Sequence, residues 1–173
     1  MSEVEKVVSA LQETFSQAVL DVEIFRGDTT IVVKREFILP VCEFLRQDET
    51  FAFDFLAMLT AVDYWPDEPR FSIVYQLYSL RRNLFLGLRV PVPGDDARLT
   101  TIESVFPAAN WHEREVFDMF GVTFEGHSDP RRILMPYDWE GHPLRKDYPL
   151  GTEEVQFSFN YDEIDRRKKY ARD

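Results

Sequence analysis

The sequence is short of cysteine, short of positive charge and free of long apolar runs, and each shortage excludes something. Cys42 is the single thiol in 173 residues, so no internal disulfide forms. With no CxxC pair, the chain lacks a ligand framework for zinc or an iron–sulfur cluster. Lys and Arg number 20 against 31 Asp and Glu, a formal net charge of −11. Such a balance argues against nucleic acid, whose affinity comes from phosphate neutralisation, and against direct docking on anionic lipid. The longest stretch without Asp, Glu, Lys or Arg is ten residues, Phe71 to Leu80. A membrane-spanning helix needs about 20. The start, Met1-Ser2-Glu3-Val4-Glu5-Lys6, is charged and has no signal-peptide core. A cytosolic chain is expected, or one held at a membrane only through partners. Also missing are GxSxG, GxxxxGK[ST] and GxGxxG, so no self-contained nucleophile or phosphate loop is legible.

Periodicity supplies the fold class. Val4, Val7, Val8, Leu11 and Phe15 recur at helical spacing, which predicts an amphipathic helix over 3–18. Leu20, Val22 and Ile24, then Ile31 and Val33, alternate around an Arg26–Thr29 turn and predict a hairpin. Ile38, Val41, Cys42 and Leu45 predict a second helix, with Pro40 near its start. Strands are predicted over Met58–Tyr64, from Phe71 and from Leu84, the last two joined through Ser79–Asn83 and broken by Pro91 and Pro93. Helices interleaved with hairpins make a two-layer α+β domain over 1–106. Thr100 with Glu103 reads as a capping box for a short helix ended by Pro107. Asn110 opens a motif helix within 107–121, with Glu113 as an N-terminal cap and Gly121 as the stop. An irregular Gly/Pro-rich extension and a charged tail occupy 122–173.

Residues 121–151 hold four Gly and four Pro yet also Trp139, Tyr137 and Tyr148, too aromatic for a disordered linker. Two readings stay open: the segment covers its own sheet, or it runs over a partner. On the motif helix, Val116, Phe117, Met119 and Phe120 form a core sector. Arg114, Glu115 and Asp118 cluster opposite, with Trp111 among them. Arg114 and Asp118 are four apart and can pair; Trp111 and Arg114 can stack. A tryptophan among charges favours an interface over a solvated face. Arg131, Arg132, Arg145, Lys146 and Asp147, near Trp139 and Tyr148, suit the same polar contact. His112, His127 and His142 lack short metal spacing and read as loop histidines bonded to backbone rather than zinc ligands. On this reading residue 145 lies outside the core, and reversing its charge leaves the free domain stable.

Glu113-Arg114-Glu115-Val116-Phe117-Asp118-Met119-Phe120-Gly121, then Gly126-His127, Arg131-Arg132-Ile133-Leu134 and Asp138-Trp139-Glu140-Gly141-His142-Pro143-Leu144-Arg145-Lys146-Asp147-Tyr148-Pro149, closely resembles the signature of the 30 kDa subunit family of respiratory complex I, the bacterial NADH-quinone oxidoreductase. Phe117 stands where that family often has Tyr, and Ser128 and Pro130 where Pro and Leu are usual. The resemblance implies a non-catalytic, cofactor-free member of the peripheral arm in a proton-translocating translocase. The resemblance also implies a peripheral position on the cytoplasmic side of the cell membrane. On that resemblance FMN, the iron–sulfur clusters and most of the quinone pocket belong to other subunits. The implied partners are the 49 kDa quinone-site subunit and neighbouring iron–sulfur subunits, gripped through the charged and aromatic residues of 111–148. The equivalent subunit of a membrane-bound hydrogenase or other-donor complex is the alternative. A standalone hydrolase or zinc enzyme would need the acids or histidines to converge.

Overall fold

A computed structural model describes residues 3–149 and 157–167, so the end of the expected charged tail lies outside the described residues. Helix α1 (Glu3–Thr14) is followed by strands β1 (Val19–Phe25) and β2 (Asp28–Val33), a 3-10 turn (Arg35–Phe37) and helix α2 (Ile38–Gln47). Strands β3 (Phe55–Asp63), β4 (Phe71–Ser79) and β5 (Leu84–Val92) form a meander, and β6 (Arg98–Thr100), α3 (Ala109–Phe120), β7 (Thr123–Glu125) and α4 (Tyr161–Arg167) complete the order. The main sheet runs β1-β2-β5-β4-β3, with β2 and β5 parallel and the other neighbours antiparallel. The α+β class is as expected.

Local sequence explains most boundaries. Arg26 and Gly27 both take positive φ, the two-residue turn that matches the twist of a hairpin. Pro40 falls in the first turn of α2, where its missing N–H breaks no helical bond. Strand β5 runs through Pro91 instead of breaking there; Pro91 lies past Arg89, the last residue β2 pairs with. Gly121 ends α3 in the left-handed region (φ 73), donating its N–H to the Phe117 carbonyl.

Two helix expectations also fail. α1 stops at Thr14, because the chain turns through Phe15 to Ala18 to enter β1. The capping-box helix at Thr100 does not form either. Thr100 is the end of β6, and 101–108 is a run of turns whose Ile102, Val105 and Phe106 are buried. The Glu103 amide donates to the Thr101 hydroxyl, a Ser/Thr turn that competes with helix.

All three of α1, α2 and α3 lie on one side of the sheet. The inward residues of the strands, such as Leu59, Ile73, Tyr75, Leu86 and Leu88, share a single apolar core with Val7, Leu45, Val116 and Met119. Val122 and Phe124 belong to it as well. The boundary expected at 106 therefore cuts through one core: α3 and the short parallel pair β6–β7 are part of the domain, not an appendage.

Candidate partner interface

The motif helix presents its charged face to the chain's own loop. Asp118 is fully buried. One carboxylate oxygen accepts the amides of Ile133, Leu134 and Met135 at 3.1, 2.8 and 2.8 Å; the other takes the Arg132 guanidinium at 2.6 Å. Burial opposes ionisation, but those amides and Arg132 outweigh it and hold the carboxyl below its usual range. Arg132 also donates to the carbonyls of Trp139 and Gly141. Arg114 reaches the carbonyls of Arg131 and Arg132 and lies 3.6 Å from Asp129, with Trp111 stacked on its guanidinium at 5.3 Å. The expected Trp111–Arg114 stack is present. The expected Arg114–Asp118 pair is replaced, because each residue finds a partner in the loop.

The far end of α3 is closed by the same loop. A helix leaves its last four carbonyls without intrahelical donors. The Leu144 amide donates to Met119 O at 3.0 Å, Arg145 Nε to Phe120 O at 2.5 Å, and His142 Nδ1 to Asp118 O at 2.9 Å. The cation of Arg145 also suits the negative end of the helix dipole. Burial lowers the pKa of both His142 and Arg145. A Cβ on Gly121 would meet Arg145 Nη2 and His142 Cδ2 at 2.5 Å, so the residue is required for contact as well as for its φ. The expectation that residue 145 is structurally idle is corrected by this cap.

A second clamp was invisible in the sequence. Arg70, buried, grips Asp63 bidentately at 3.0 Å and Asp147 at 2.6 and 3.1 Å, between the rings of Trp65 and Phe71. The Lys146 amide adds a bond to Asp63 at 2.8 Å. Burial alone would raise the Asp63 carboxyl; Arg70 and the backbone amides of Lys146 and Trp65 hold it at about 2 instead. The clamp ties the loop to the end of β3. Its only sequence signal was Asp63 and Arg70 flanking the Pro66–Pro69 turn.

Glu113 does not cap its own helix. It is fully buried, accepting the Thr101 hydroxyl at 2.5 Å and the Ile102 amide at 2.9 Å. Burial pushes its pKa up to about 7 despite those bonds. Asn110 is no cap either; its amide group bridges Glu103 and Ser128. His127 Nδ1 accepts the Asp129 amide, so its Nε2–H donates to the Asn110 carbonyl. The histidines at 127 and 142 thus bond to backbone. Among the described residues no three His, Cys, Asp or Glu side chains gather as a metal site. Burial raises the Cys42 thiol well above its usual range, which leaves it an inert core residue.

Of the predicted contact residues, Arg114, Asp118, Arg132, Arg145 and Asp147 are committed within the chain. Trp111, Glu115, Arg131 and Lys146 are exposed; Trp139 and Tyr148 are half-buried. Leu134, Tyr137 and Leu144, which no charge or spacing pattern singles out, stand out of the clamped loop at 54 to 77% exposure.

Residues 31–154 match the family model described as "Respiratory-chain NADH dehydrogenase, 30 Kd subunit". The chain belongs to that family. Proteins named as the C subunit of NADH-quinone oxidoreductase are similar to it over most of this chain. The one from Roseiflexus sp. strain RS-1 is 46% identical over 167 residues, 96% of each chain. The one from Geobacter metallireducens is 49% identical over 151 residues, 87% of this chain and 92% of the relative. Among solved structures, a trypsin-resistant fragment (1-134) of Nqo5 aligns with TM-score 0.62 at 32% identity, over 74% of this chain and 99% of that one. A chain of the membrane-bound sulfane sulfur reductase, an archaeal respiratory membrane complex, aligns with TM-score 0.72 over 99% of this chain and 97% of that one. At 24% identity it shows the shared fold alone. As a 30 kDa subunit the chain is a member of a multisubunit respiratory complex, and no described helix is long and apolar enough to cross a membrane.

Proposed function

We propose that the chain is the cofactor-free scaffold subunit that holds the 49 kDa quinone-site subunit, and its iron–sulfur neighbours, in the peripheral arm of a proton-translocating NADH:quinone oxidoreductase. It reaches the cytoplasmic side of the cell membrane only through those partners. FMN, clusters and quinone are carried elsewhere in the complex; the isolated chain neither binds them nor oxidises NADH. One observation carries this reading. The charged residues of the motif fasten the irregular 127–148 loop onto α3, so that Trp111 of the helix and Leu134, Tyr137 and Leu144 of the loop stand exposed. An irregular surface held in place by internal bonds, carrying exposed apolar side chains together with the exposed charges of Glu115, Arg131 and Lys146, suits a protein contact. Single cysteine content and scattered histidines support the absence of a resident metal.

NADH as donor is favoured over hydrogen by the relatives, whose names specify NADH-quinone oxidoreductase. The test is assembly. Trp111→Asp combined with Leu134→Asp should leave the melting temperature of the purified chain unchanged and abolish its co-purification with the complex. Normal assembly with slow turnover would overturn the scaffold role and put this subunit into the quinone chemistry.

A further inference from the structure

The sheet face turned away from the helices is open and aromatic. Register puts Phe55 opposite Tyr78 and Tyr78 opposite Phe85, with the last two rings stacked at 4.3 Å. Phe55 is 50% and Phe85 51% exposed, and Met58 and Val62 stand out from the same face. A sheet with one solvated face ordinarily places polar residues there.

Two clefts indent this face. The first, at the β1–β2 hairpin, is lined by Phe25, Asp28, Gln76 and Phe85. The second is lined by Tyr64, Asp67, Ser72 and Pro91. The Arg89–Glu23 ion pair joins them, since Glu23 lines the first and Arg89 the second. Asp28 and Asp67, one in each cleft, have no ion-pair partner among the described residues, and each shares its cleft lining with aromatic residues, Phe25 and Phe85 in the first and Tyr64 in the second. In the second cleft the buried Ser72 hydroxyl also finds no hydrogen-bond partner among the described residues. A carboxylate beside an aromatic ring is a receptor for a guanidinium or ammonium group, through ion pairing and cation–π attraction together.

We infer that the open sheet face is a second docking surface, for a partner subunit that presents one basic side chain to each cleft across an apolar contact. The inference rests on the scaffold reading and adds to it: the first surface lies on the helix side of the sheet, so the subunit is gripped from both faces. A second copy of the chain fits poorly. It would bring the same carboxylates and a net charge of −11 against them.

The experiment uses the complex purified from membranes, with a photo-reactive benzoyl-phenylalanine placed at position 85 or, separately, at position 111. Position 85 should cross-link to another subunit within a few residues of an Arg or Lys. Asp28→Lys with Asp67→Lys should lower the chain recovered with the complex roughly tenfold, while the isolated variant melts like the wild type. A cross-link from 111 without one from 85 overturns the inference and spares the scaffold reading. So does a cross-link from 85 to a second copy, or to the chain's own C-terminal residues. Wild-type recovery of the double variant overturns it too. Silence from both positions overturns both.

Discussion

Glu113 makes stability fall as pH rises, and the effect is large enough to measure. Its carboxyl is buried against Thr101, Ile102 and His127, with Glu103, Tyr75 and Cys42 as further titratable neighbours. The folded pKa of about 7 stands above the ordinary 4.5. A raised carboxyl favours the folded state fully below the ordinary value, and that benefit is lost as pH climbs to the folded one. At about 1.4 kcal/mol per unit, the full loss is about 3 kcal/mol, of which about 2 falls between roughly pH 5.5 and pH 8. Asp63 and Asp118 act oppositely and elsewhere: their pKa values are lowered, so their contribution is present above about 4 and lost only in stronger acid. Glu113→Gln keeps an acceptor for the Ile102 amide and a partner for Thr101, and cannot ionise. Urea unfolding of both chains across this window should give a wild type that loses about 2 kcal/mol relative to the variant toward high pH. At pH 8 the variant should be the more stable protein. Parallel pH profiles would refute the reasoning, because charge repulsion elsewhere in the chain is common to both.

Removing the Arg70 side chain (Arg70→Ala) takes away the guanidinium that joins the Asp63 and Asp147 carboxylates, and should cost about 3–5 kcal/mol in a urea titration. Asp118→Asn turns an amide group toward donors that need an acceptor; a loss of about 2–3 kcal/mol is expected, with faster hydrogen exchange at Ile133, Leu134 and Met135. Arg145→Glu uncaps α3 and sets a negative charge at its C-terminus, so the isolated chain should lose about 1–3 kcal/mol in the same titration before any question of assembly arises. Elemental and flavin analysis of the purified chain should find neither stoichiometric metal nor flavin.

The elements legible in the sequence were those whose signal is local. Alternation in Phe71–Leu77 and Leu84–Val90, helical spacing in α1 and α2, and the stop at Gly121 all follow from which residues the next few neighbours allow. The Thr100–Glu103 spacing misled because the side chains around it are taken by partners outside that turn: the neighbouring Thr101 serves Glu113, and Glu103 serves Asn110 and Ser128. A capping box and a Ser/Thr turn share one sequence pattern, and tertiary competition decides between them. Arg70 was missed for a similar reason, since its partner Asp147 is 77 residues away.

The charged motif posed a different problem. Arg114, Asp118, Arg132 and Arg145 have the composition of a polar interface, and a polar interface within a chain is built from the same side chains as one between chains. What separates the two cases is the backbone they must satisfy. Residues 127–148 have no ladder of their own, so their amides and carbonyls need partners inside the fold. Asp118 supplies one carboxylate to three consecutive amides, Arg132 and Arg114 supply donors to loop carbonyls, and Arg145 reaches from the loop to the helix end. Charged groups suit the task because one side chain can serve several backbone groups with strong bonds. A loop ordered in this way during folding has little left to lose on association, and a rigid surface binds more tightly than a floating one of equal area. On the scaffold reading, the motif residues serve assembly at one remove: they hold in place the exposed Trp111, Leu134 and Tyr137, the side chains proposed to meet the partner.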